Sequence, residues 1–345
     1  MGVLGPRVRR EARGTGPRLA RLTANEGLDE HESFHRDVHD GLRRVPKALP
    51  SLYFYDARGS DLFRRIMTLP EYYLTGAERT ILEREGERMA ESFTGRACDV
   101  VDLGAGDGAK TRILLSHLAR AGADVRYLPI DVSEGALGTV LAACAEELPW
   151  LDAEGVVAEY EAGIRWLARR DRDRSRLVLF LGSNVGNLDD ERAGGFFQSL
   201  YDALSPGDHV LVGFDLVKDL RVLLPAYDDA QGVTAEFNLN LLRRINRELG
   251  GNFDLGAFRH YATYSPLRRA MESYLISMKD QSVRIAGREY HFEACEPIHT
   301  EISRKYRVND VTTFAREAGF VEVGHFFDRD RLFLDALWRV GGTGE

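Results

Sequence analysis

The sequence predicts an α/β fold: a doubly wound, largely parallel sheet that is interrupted by an inserted α+β segment. Three observations carry this prediction. Strand-like and helix-like segments alternate from about residue 98, a glycine-rich loop follows the first of these strands, and two strand-like runs close the chain. Alternation of strands with helical patterns of roughly 10–15 residues is typical of parallel sheets.

The predicted elements follow one another in a regular order. Five apolar runs are the predicted strands of the parallel sheet: Cys98–Leu103, Val125–Ile130, Val156–Ala158, Arg176–Leu181 and His209–Phe214. A helix is predicted from Lys110 to about Ala123, and another over 310–318. The last runs, Val321–Asp328 and Leu332–Val340, are expected to form an antiparallel pair at the edge of the same sheet.

The stretch 218–305 lies between the fifth strand and the closing pair, so it interrupts the sheet domain as an insert. Within it, the sequence predicts helices over 236–249 and 265–279, and a hairpin of 282–286 with 289–296 around a Gly-Arg turn. Residues 1–27, which carry six arginines among several glycines, are expected to be a flexible basic tail.

Composition excludes several classes of protein. The chain has 345 residues and 44% hydrophobic residues, as globular proteins do, but no apolar run of the roughly 18 residues that a transmembrane helix needs. Acidic residues outnumber basic ones by 54 to 46, which argues against a nucleic-acid partner. The three cysteines form no CxxC pair, so we expect neither a disulfide framework nor a zinc site, and a reducing cytoplasm fits best.

Three histidines near the N-terminus form a stripe at helical spacing. His31, His35 and His39 share one face if residues 29–42 are helical, and that spacing is able to bind a metal. Acidic residues surround the stripe, which favours a solvated charged face instead. We therefore expect no metal site.

The segment from Val100 to Lys110 contains the most informative loop. Glycines 104, 106 and 108 follow a strand and precede a helix, where backbone can approach a ligand closely. The spacing also matches a dinucleotide fingerprint, so a nucleotide-dependent dehydrogenase stays an alternative. However, Asp102 before the glycines and Lys110-Thr111 after them differ from that fingerprint. The loop instead resembles the first motif of the class I S-adenosylmethionine (SAM)-dependent methyltransferases.

Acidic residues end the next two predicted strands. Asp131 follows the second strand, where a carboxylate can accept hydrogen bonds from both hydroxyls of a ribose. Glu159 and Tyr160 follow the third, where an acid beside an aromatic ring suits the edge and face of an adenine. These residues predict a nucleoside-containing ligand at this edge of the sheet.

Two further segments sharpen the interpretation. One runs from Tyr53 to Thr75 and contains Tyr-Asp-Ala-Arg-Gly-Ser-Asp and Leu-Pro-Glu-Tyr-Tyr, and the other is Phe180–Asn187. Together with the glycine loop they resemble the histidine Nα-methyltransferases of ergothioneine biosynthesis, from about residue 45 to the C-terminus. The resemblance implies a cytoplasmic enzyme that uses SAM to trimethylate L-histidine to hercynine, a betaine. It needs no nucleic acid or membrane, and we expect a monomer.

The resemblance also implies a domain organisation. The class I methyltransferase sheet would comprise 79–217 and the C-terminal strands 306–345. A second, discontinuous α+β substrate-binding domain would join 28–78 to the insert 218–305, after the tail 1–27.

Carried over by position, the resemblance assigns site residues. The cofactor would contact Tyr55, Gly104, Lys110, Asp131, Glu159 and Tyr160. Tyr72 and Asn187 would lie beside the reacting amine. The remaining substrate contacts would be Gly182 with the main-chain groups, Tyr227 with the carboxylate, and Glu301 and Ser303 with the imidazole. If 299–305 is a strand, Glu301 and Ser303 share one face, which suits this pairing.

Three positions depart from the family pattern and keep other functions open. Gly76 replaces an arginine, Asn184 replaces a threonine or serine, and Ser273 stands where bacterial members carry a methionine in the side-chain pocket. A wider, more polar pocket would suit another amino acid such as tryptophan, tyrosine or a modified derivative. A non-catalytic SAM-binding module is the third alternative.

Overall fold

The computed structural model describes residues 18–22 and 30–342. Numbered along the chain, the strands are β1 (Arg18–Arg21), β2 (Lys47–Ala48), β3 (Ala97–Leu103), β4 (Asp124–Asp131), β5 (Asp152–Val157), β6 (Ser175–Phe180), β7 (His209–Asp215), β8 (Phe258–Ser265), β9 (Ala270–Ser277), β10 (Gln281–Ile285), β11 (Arg288–Phe292), β12 (Pro297–Arg304), β13 (Phe320–Phe327) and β14 (Phe333–Val340). The helices are α1 (Glu30–Arg43), α2 (Ala57–Ile66), α3 (Tyr73–Ala90), α4 (Ala109–Arg120), α5 (Glu134–Glu147), α6 (Tyr160–Ala168), α7 (Asp190–Ala203), α8 (Leu220–Tyr227), α9 (Val233–Leu249) and α10 (Val308–Ala318).

An eight-stranded sheet in the described part of the chain forms the centre of the fold, in the order β1-β5-β4-β3-β6-β7-β14-β13. Neighbouring strands from β1 to β7 are parallel. The last strand in sequence, β14, lies antiparallel between β7 and β13. The predicted α/β class, with a parallel sheet and an antiparallel closing pair, is confirmed.

Helices cover both faces of this sheet because its strands are apolar on both sides. One face packs against α6, α7 and α10, with the Phe197 and Trp338 rings 5.0 Å apart in its core. The other face packs against α3, α4 and α5, around residues such as Leu114 and Leu115. The loops after the parallel strands therefore meet at one edge, where ligands bind in such sheets.

A second, four-stranded sheet has the order β2-β12-β9-β8, and β10 pairs with β11 as the predicted hairpin. Its core combines residues from both ends of the sequence. Phe34 and Phe54 pack with Phe237 of α9 and Ile298 of β12. The predicted helix over 236–249 is confirmed as α9, and the predicted strand over 299–305 as β12.

The helix predicted over 265–279 is wrong: these residues form a turn and β9. This strand is buried on both faces through most of its length, so it lacks the alternation that marks a half-buried strand. Arg268 lies 3.6 Å from Glu272 in an i,i+4 ion pair, a spacing that in the sequence resembles a helical pair. Here the pair spans the entry into the strand.

Part of the expected flexible tail is also ordered. Arg18–Arg21 form β1, which pairs in parallel with β5. Arg18 forms an ion pair with Asp152, and Arg21 forms one with Glu134. These acidic partners are remote in sequence, which is why composition alone predicts a tail. The rest of that predicted tail, 1–17 and 23–27, lies outside the described residues.

The histidine stripe lies on α1 as expected. His31 hydrogen-bonds the Glu248 carbonyl at 3.0 Å, and His39 hydrogen-bonds the Tyr290 hydroxyl. These separate partners give the metal interpretation no support. Across residues 18–22 and 30–342, we find no helix that combines the length and the apolar character required to cross a bilayer.

Candidate functional site

A cleft of about 1510 Å³ lies where the loops after β3, β4, β5 and β6 meet the second sheet. It brings together most of the residues that the sequence singled out. Those lining it are Tyr55, Tyr72, Gly104, Lys110, Asp131, Glu159, Tyr160, Gly182, Asn187 and Glu301.

An inner cavity of about 40 Å³ shares part of its wall with the cleft, including Tyr55, Tyr72 and Glu301. Tyr227 and Ser303 complete this wall from α8 and β12. Within the described ranges, Ser273 is the one predicted site residue that lines neither space.

The glycine loop has the geometry that its sequence predicts. Gly104 has a φ of 78°, and a Cβ built on it would lie 2.6 Å from Asn184 Nδ2 and 3.0 Å from Tyr160 Oη. Gly106, with a φ of 58°, has open space around the same point. The Gly106 N–H donates to Asp131 Oδ2 at 3.0 Å, which fixes the acid at the mouth of the loop. Backbone and carboxylate thus form a cradle that fits a nucleoside-containing ligand.

Asp102 lies under this cradle and supports it from below. Its Oδ2 accepts hydrogen bonds from Thr111 at 2.6 Å and from Tyr127 at 2.8 Å, which ties the end of β3 to the start of α4. Burial raises the pKa of Asp102 to about 6, although both hydrogen bonds oppose that shift.

Tyr160 and Glu159 occupy different depths of the cleft. The Tyr160 ring packs edge-on against Phe180, with centroids 5.0 Å apart, and its hydroxyl points toward Gly104. Glu159, just before α6, is exposed at the rim. The aromatic face is therefore inside the cleft, and the acid is at its edge.

Lys110 reaches the cleft from the first turn of α4 and pairs with the fully buried Glu78 of α3. Burial lowers the pKa of Lys110, but the Glu78 carboxylate outweighs it and raises the pKa overall. The other Glu78 oxygen accepts the Gly182 N–H at 2.7 Å. Gly182 can therefore offer its carbonyl to a ligand but not its amide, and Glu78 joins the two binding loops.

An aromatic wall separates the cleft from the second sheet. Phe63 lies at its centre, with ring centroids 5.6 Å from Tyr55, 6.2 Å from Tyr72 and 5.8 Å from Phe237. Burial raises the pKa of both Tyr55 and Tyr72 well above the usual value. Both phenols are therefore neutral, so Tyr72 can orient an amine but is not a phenolate base at neutral pH.

Local sequence explains how this wall is held. Asp56 caps α2 by accepting the Gly59 N–H at 2.7 Å, and its Oδ1 also accepts from Asn240 of α9 at 2.8 Å. Gly59 packs so tightly that a Cβ there would lie 1.7 Å from the Phe54 carbonyl oxygen. The Tyr-Asp-Ala-Arg-Gly motif is thus a capped helix start that fixes Tyr55.

Glu301 projects from β12 into the cavity. Burial raises its pKa to about 7, even though the Ser273 hydroxyl donates to Oε2 at 3.3 Å and favours the charged form. Ser273 is 1% exposed and stands opposite Glu301 on β9. Ser273 therefore acts on the pocket through Glu301, and the expectation that it forms the pocket wall is wrong.

A buried polar cluster that was not predicted from the sequence lies behind Tyr227 and Ser303. Lys305 Nζ lies 2.7 Å from Tyr227 Oη and 2.8 Å from Ser303 Oγ. It also lies 2.8 Å from Asp215 Oδ2 at the end of β7. Lys305 follows Ser303 by two residues, so extending the strand period by one step would have placed it beside Glu301 and Ser303.

Comparison with a family of known function covers nearly the whole chain. Residues 34–340 match the family described as "Histidine-specific methyltransferase, SAM-dependent". The match includes the second sheet, every strand of the main sheet except β1, and every residue of the site described above.

Individual relatives agree with this match. The chain is 43% identical over 291 residues to a histidine N-alpha-methyltransferase of Mycolicibacterium smegmatis, covering 84% of this chain and 89% of that protein. It is 38% identical over 300 residues to a protein of the same name from Mycobacterium tuberculosis, covering 86% and 92%. An L-tryptophan methyltransferase of Psilocybe serbica is 28% identical over 319 residues, covering 84% and 88%.

Proposed function

The chain belongs to the family of SAM-dependent, histidine-specific methyltransferases, and on this premise we propose that it methylates the α-amino group of L-histidine. Three successive transfers would give hercynine, the trimethylammonium betaine used in ergothioneine synthesis. The 43% and 38% identical relatives, both named histidine N-alpha-methyltransferases, support this proposal.

One observation carries the choice of histidine: the half-buried Glu301 carboxyl in the wall of the inner cavity, with Ser303 on the same strand face. A carboxylate that is partly removed from water is stabilised by a hydrogen-bond donor. An imidazole N–H supplies such a donor at the side-chain end of the substrate. An indole or a phenol offers Glu301 and Ser303 fewer partners.

We assign the cofactor to the cradle of Gly104 and Asp131, with Tyr160 against its base and Tyr55 and Lys110 along the cleft. Bound SAM supplies an electrophilic methyl group on a sulfonium. The protein's task is then to place a neutral amine in line with that methyl group and to exclude water. Tyr72 and Asn187, which line both the cleft and the inner cavity, would orient the amine.

SAM would supply the methyl group, and Tyr72 and Asn187 would hold the amine with its lone pair toward that group. Tyr72 is a neutral phenol and Asn187 is an amide, so water or a group of the substrate accepts the amine proton. The rings of Tyr55, Phe63 and Tyr72 give the growing ammonium group π-faces to contact.

The assignment of domains is part of the proposal. We keep 28–78 and 218–305 as one substrate domain, and 79–217 with 306–345 as the SAM-binding domain. The core shared by Phe34, Phe54 and Phe237 supports the first pairing. The monomeric state and the cytoplasmic location stay predictions.

The test is to incubate the purified full chain with SAM and a mixture of free amino acids, and to follow the products by mass. We expect trimethylated histidine as the main product. Methylated tryptophan or tyrosine in its place would refute the choice of histidine and point to Ser273 as the residue that changes specificity.

A further inference from the structure

Lys305 is a buried ammonium that contacts two hydroxyls of the inner cavity. The residue is 1% exposed, whereas its partners Tyr227 and Ser303 line the cavity. Its Nζ atom lies 2.7 Å from Tyr227 Oη, 2.8 Å from Ser303 Oγ and 2.8 Å from Asp215 Oδ2. A charged group in this position, so close to the cavity and yet shielded from water, needs an explanation beyond packing.

The hydrogen bonds of the cluster have a fixed direction. A lysine ammonium has three protons and no lone pair, so it donates in all three contacts. The oxygens of Tyr227 and Ser303 also lie 2.8 Å apart, so one hydroxyl donates to the other. That bond uses one of the two hydroxyl protons. The second proton has no acceptor inside the cluster and is left for the cavity that both side chains line.

The carboxylate of this cluster, Asp215, contacts two cations. Asp215 is fully buried and accepts from Tyr73 Oη at 2.9 and 2.8 Å, and it pairs with Lys218 as well as with Lys305. Two cations therefore share one carboxylate. Burial lowers the pKa of Lys218 to about 8, so Lys218 remains largely protonated at neutral pH. A hydroxyl that accepts from an ammonium is a stronger donor, and an anion is its natural partner.

We propose that Lys305 is the positioning residue for the substrate carboxylate. By donating to both hydroxyls it orients them so that Ser303 donates to Tyr227 and the Tyr227 proton points into the cavity, with positive charge behind it. This inference rests on the proposed function, since it takes the ligand of the inner cavity to be an amino acid. A purely structural role, in which Lys305 only neutralises Asp215, is the competing explanation.

The experiment compares two substrates that differ in the anion. L-Histidine has a carboxylate, and L-histidinamide replaces it with a neutral amide. For the full-length enzyme we expect a strong preference for histidine in kcat/KM. Lys305→Met should raise the KM for histidine at least about tenfold, leave the KM for SAM unchanged, and reduce the preference over histidinamide by a similar factor.

Lys218→Met is the matched control. It removes the other cation from Asp215, but its contacts are with Asp215 and Tyr73 rather than with the two cavity hydroxyls. We expect it to keep the preference for histidine over histidinamide. An equal loss of preference in both variants, or a full preference in Lys305→Met, would overturn the proposal in favour of the structural role.

Two further variants keep the test decisive if Lys305→Met does not fold. Tyr227→Phe and Ser303→Ala each remove one hydroxyl and leave Lys305 in place. Binding of S-adenosylhomocysteine reports that each variant is folded. Tyr227→Phe should lose preference for the carboxylate, whereas Ser303→Ala should raise the KM for histidine and for histidinamide alike. Retention of the preference in Tyr227→Phe would also overturn the proposal. If the wild-type enzyme methylates a different amino acid, the proposed function fails, and the same comparison is made with that amino acid and its amide.

Discussion

At the residue scale, Glu301 should make histidine use depend on pH. Burial raises its pKa to about 7, so its ionised fraction rises between pH 6 and 8. An ionised carboxylate is the better acceptor for an imidazole N–H, and kcat/KM for histidine should rise across this range. Glu301→Gln does not titrate, so this rise should disappear. The KM for histidine should also increase roughly tenfold to a hundredfold, as for the loss of a charged hydrogen bond of about 1.5–3 kcal/mol.

The deprotonation of the substrate amine also contributes to the pH profile, so the measurement is the difference between wild type and Glu301→Gln. The KM for SAM serves as an internal control and should not change. A pH profile that is the same in both proteins would show that Glu301 does not contact the imidazole.

Gly104 and Gly106 provide a matched pair for the cofactor cradle. Both have a positive φ, so alanine strains the backbone by roughly 1–2 kcal/mol at either site. Only at Gly104 does the new Cβ also displace Asn184 and Tyr160. Titration of S-adenosylhomocysteine should therefore show a larger loss of affinity for Gly104→Ala than for Gly106→Ala. Equal losses would mean that backbone strain alone matters.

At the element scale, the start of α2 depends on close approach of two backbones. Gly59→Ala would place a Cβ 1.7 Å from the Phe54 carbonyl oxygen, so we expect a loss of unfolding free energy of about 1–3 kcal/mol. Gly76→Ala in α3 is the control, because its Cβ would meet nothing within 4 Å. It should gain up to about 1 kcal/mol from helix propensity. Urea denaturation measures both, and a neutral Gly59→Ala would contradict this packing.

The elements also show what sequence can and cannot predict. Strands β3 to β7 were predictable because they are short apolar runs separated by helical patterns. Strand β9 was mistaken for a helix because burial on both faces removes its alternation. Strand β1 was missed because its support comes from Asp152 and Glu134, which are distant in sequence.

The residues of the site also fall into two groups, those that the sequence predicts and those that it does not. Motifs that form a cradle or end a strand, such as Gly104 and Asp131, are visible as patterns of residue types. Lys305, Asp215 and Glu78 act as single buried charges whose partners come from other elements. No local sequence pattern predicts these three residues, although Lys305 continues the two-residue period that places Glu301 and Ser303 on one face of β12.

At the scale of the whole molecule, we expect His209 to lower the free energy of unfolding as the pH falls below about 6.5. It is buried on β7 beside Phe93, with ring centroids 5.0 Å apart, and burial lowers its pKa to about 4. The unfolded chain binds a proton near pH 6.5, well before the folded protein does. The contribution of His209 to stability is therefore complete above pH 6.5 and is lost as the pH falls toward 4.

His209→Leu should remove this part of the acid dependence. We expect the unfolding free energy of wild type, relative to the variant, to be constant above pH 7 and to fall between pH 6.5 and 4. Denaturation at pH 7.5, 5.5 and 4.5 measures this difference. A relative stability that does not change with pH would mean that His209 has the same pKa in the folded protein as in the unfolded chain.

The shared core of the second sheet bears on how the protein is made. Asn240 hydrogen-bonds Asp56 across 184 residues of sequence, so the partners of the N-terminal segment leave the ribosome long after it does. At about 5–20 residues per second, this delay is roughly ten to forty seconds. Strand β14, which the main sheet needs between β7 and β13, is synthesised later still. Phe34 and Phe54 are therefore exposed in the nascent chain until their partners have been synthesised. We expect newly made protein to depend on chaperones to a greater degree than the stability of the folded protein would indicate.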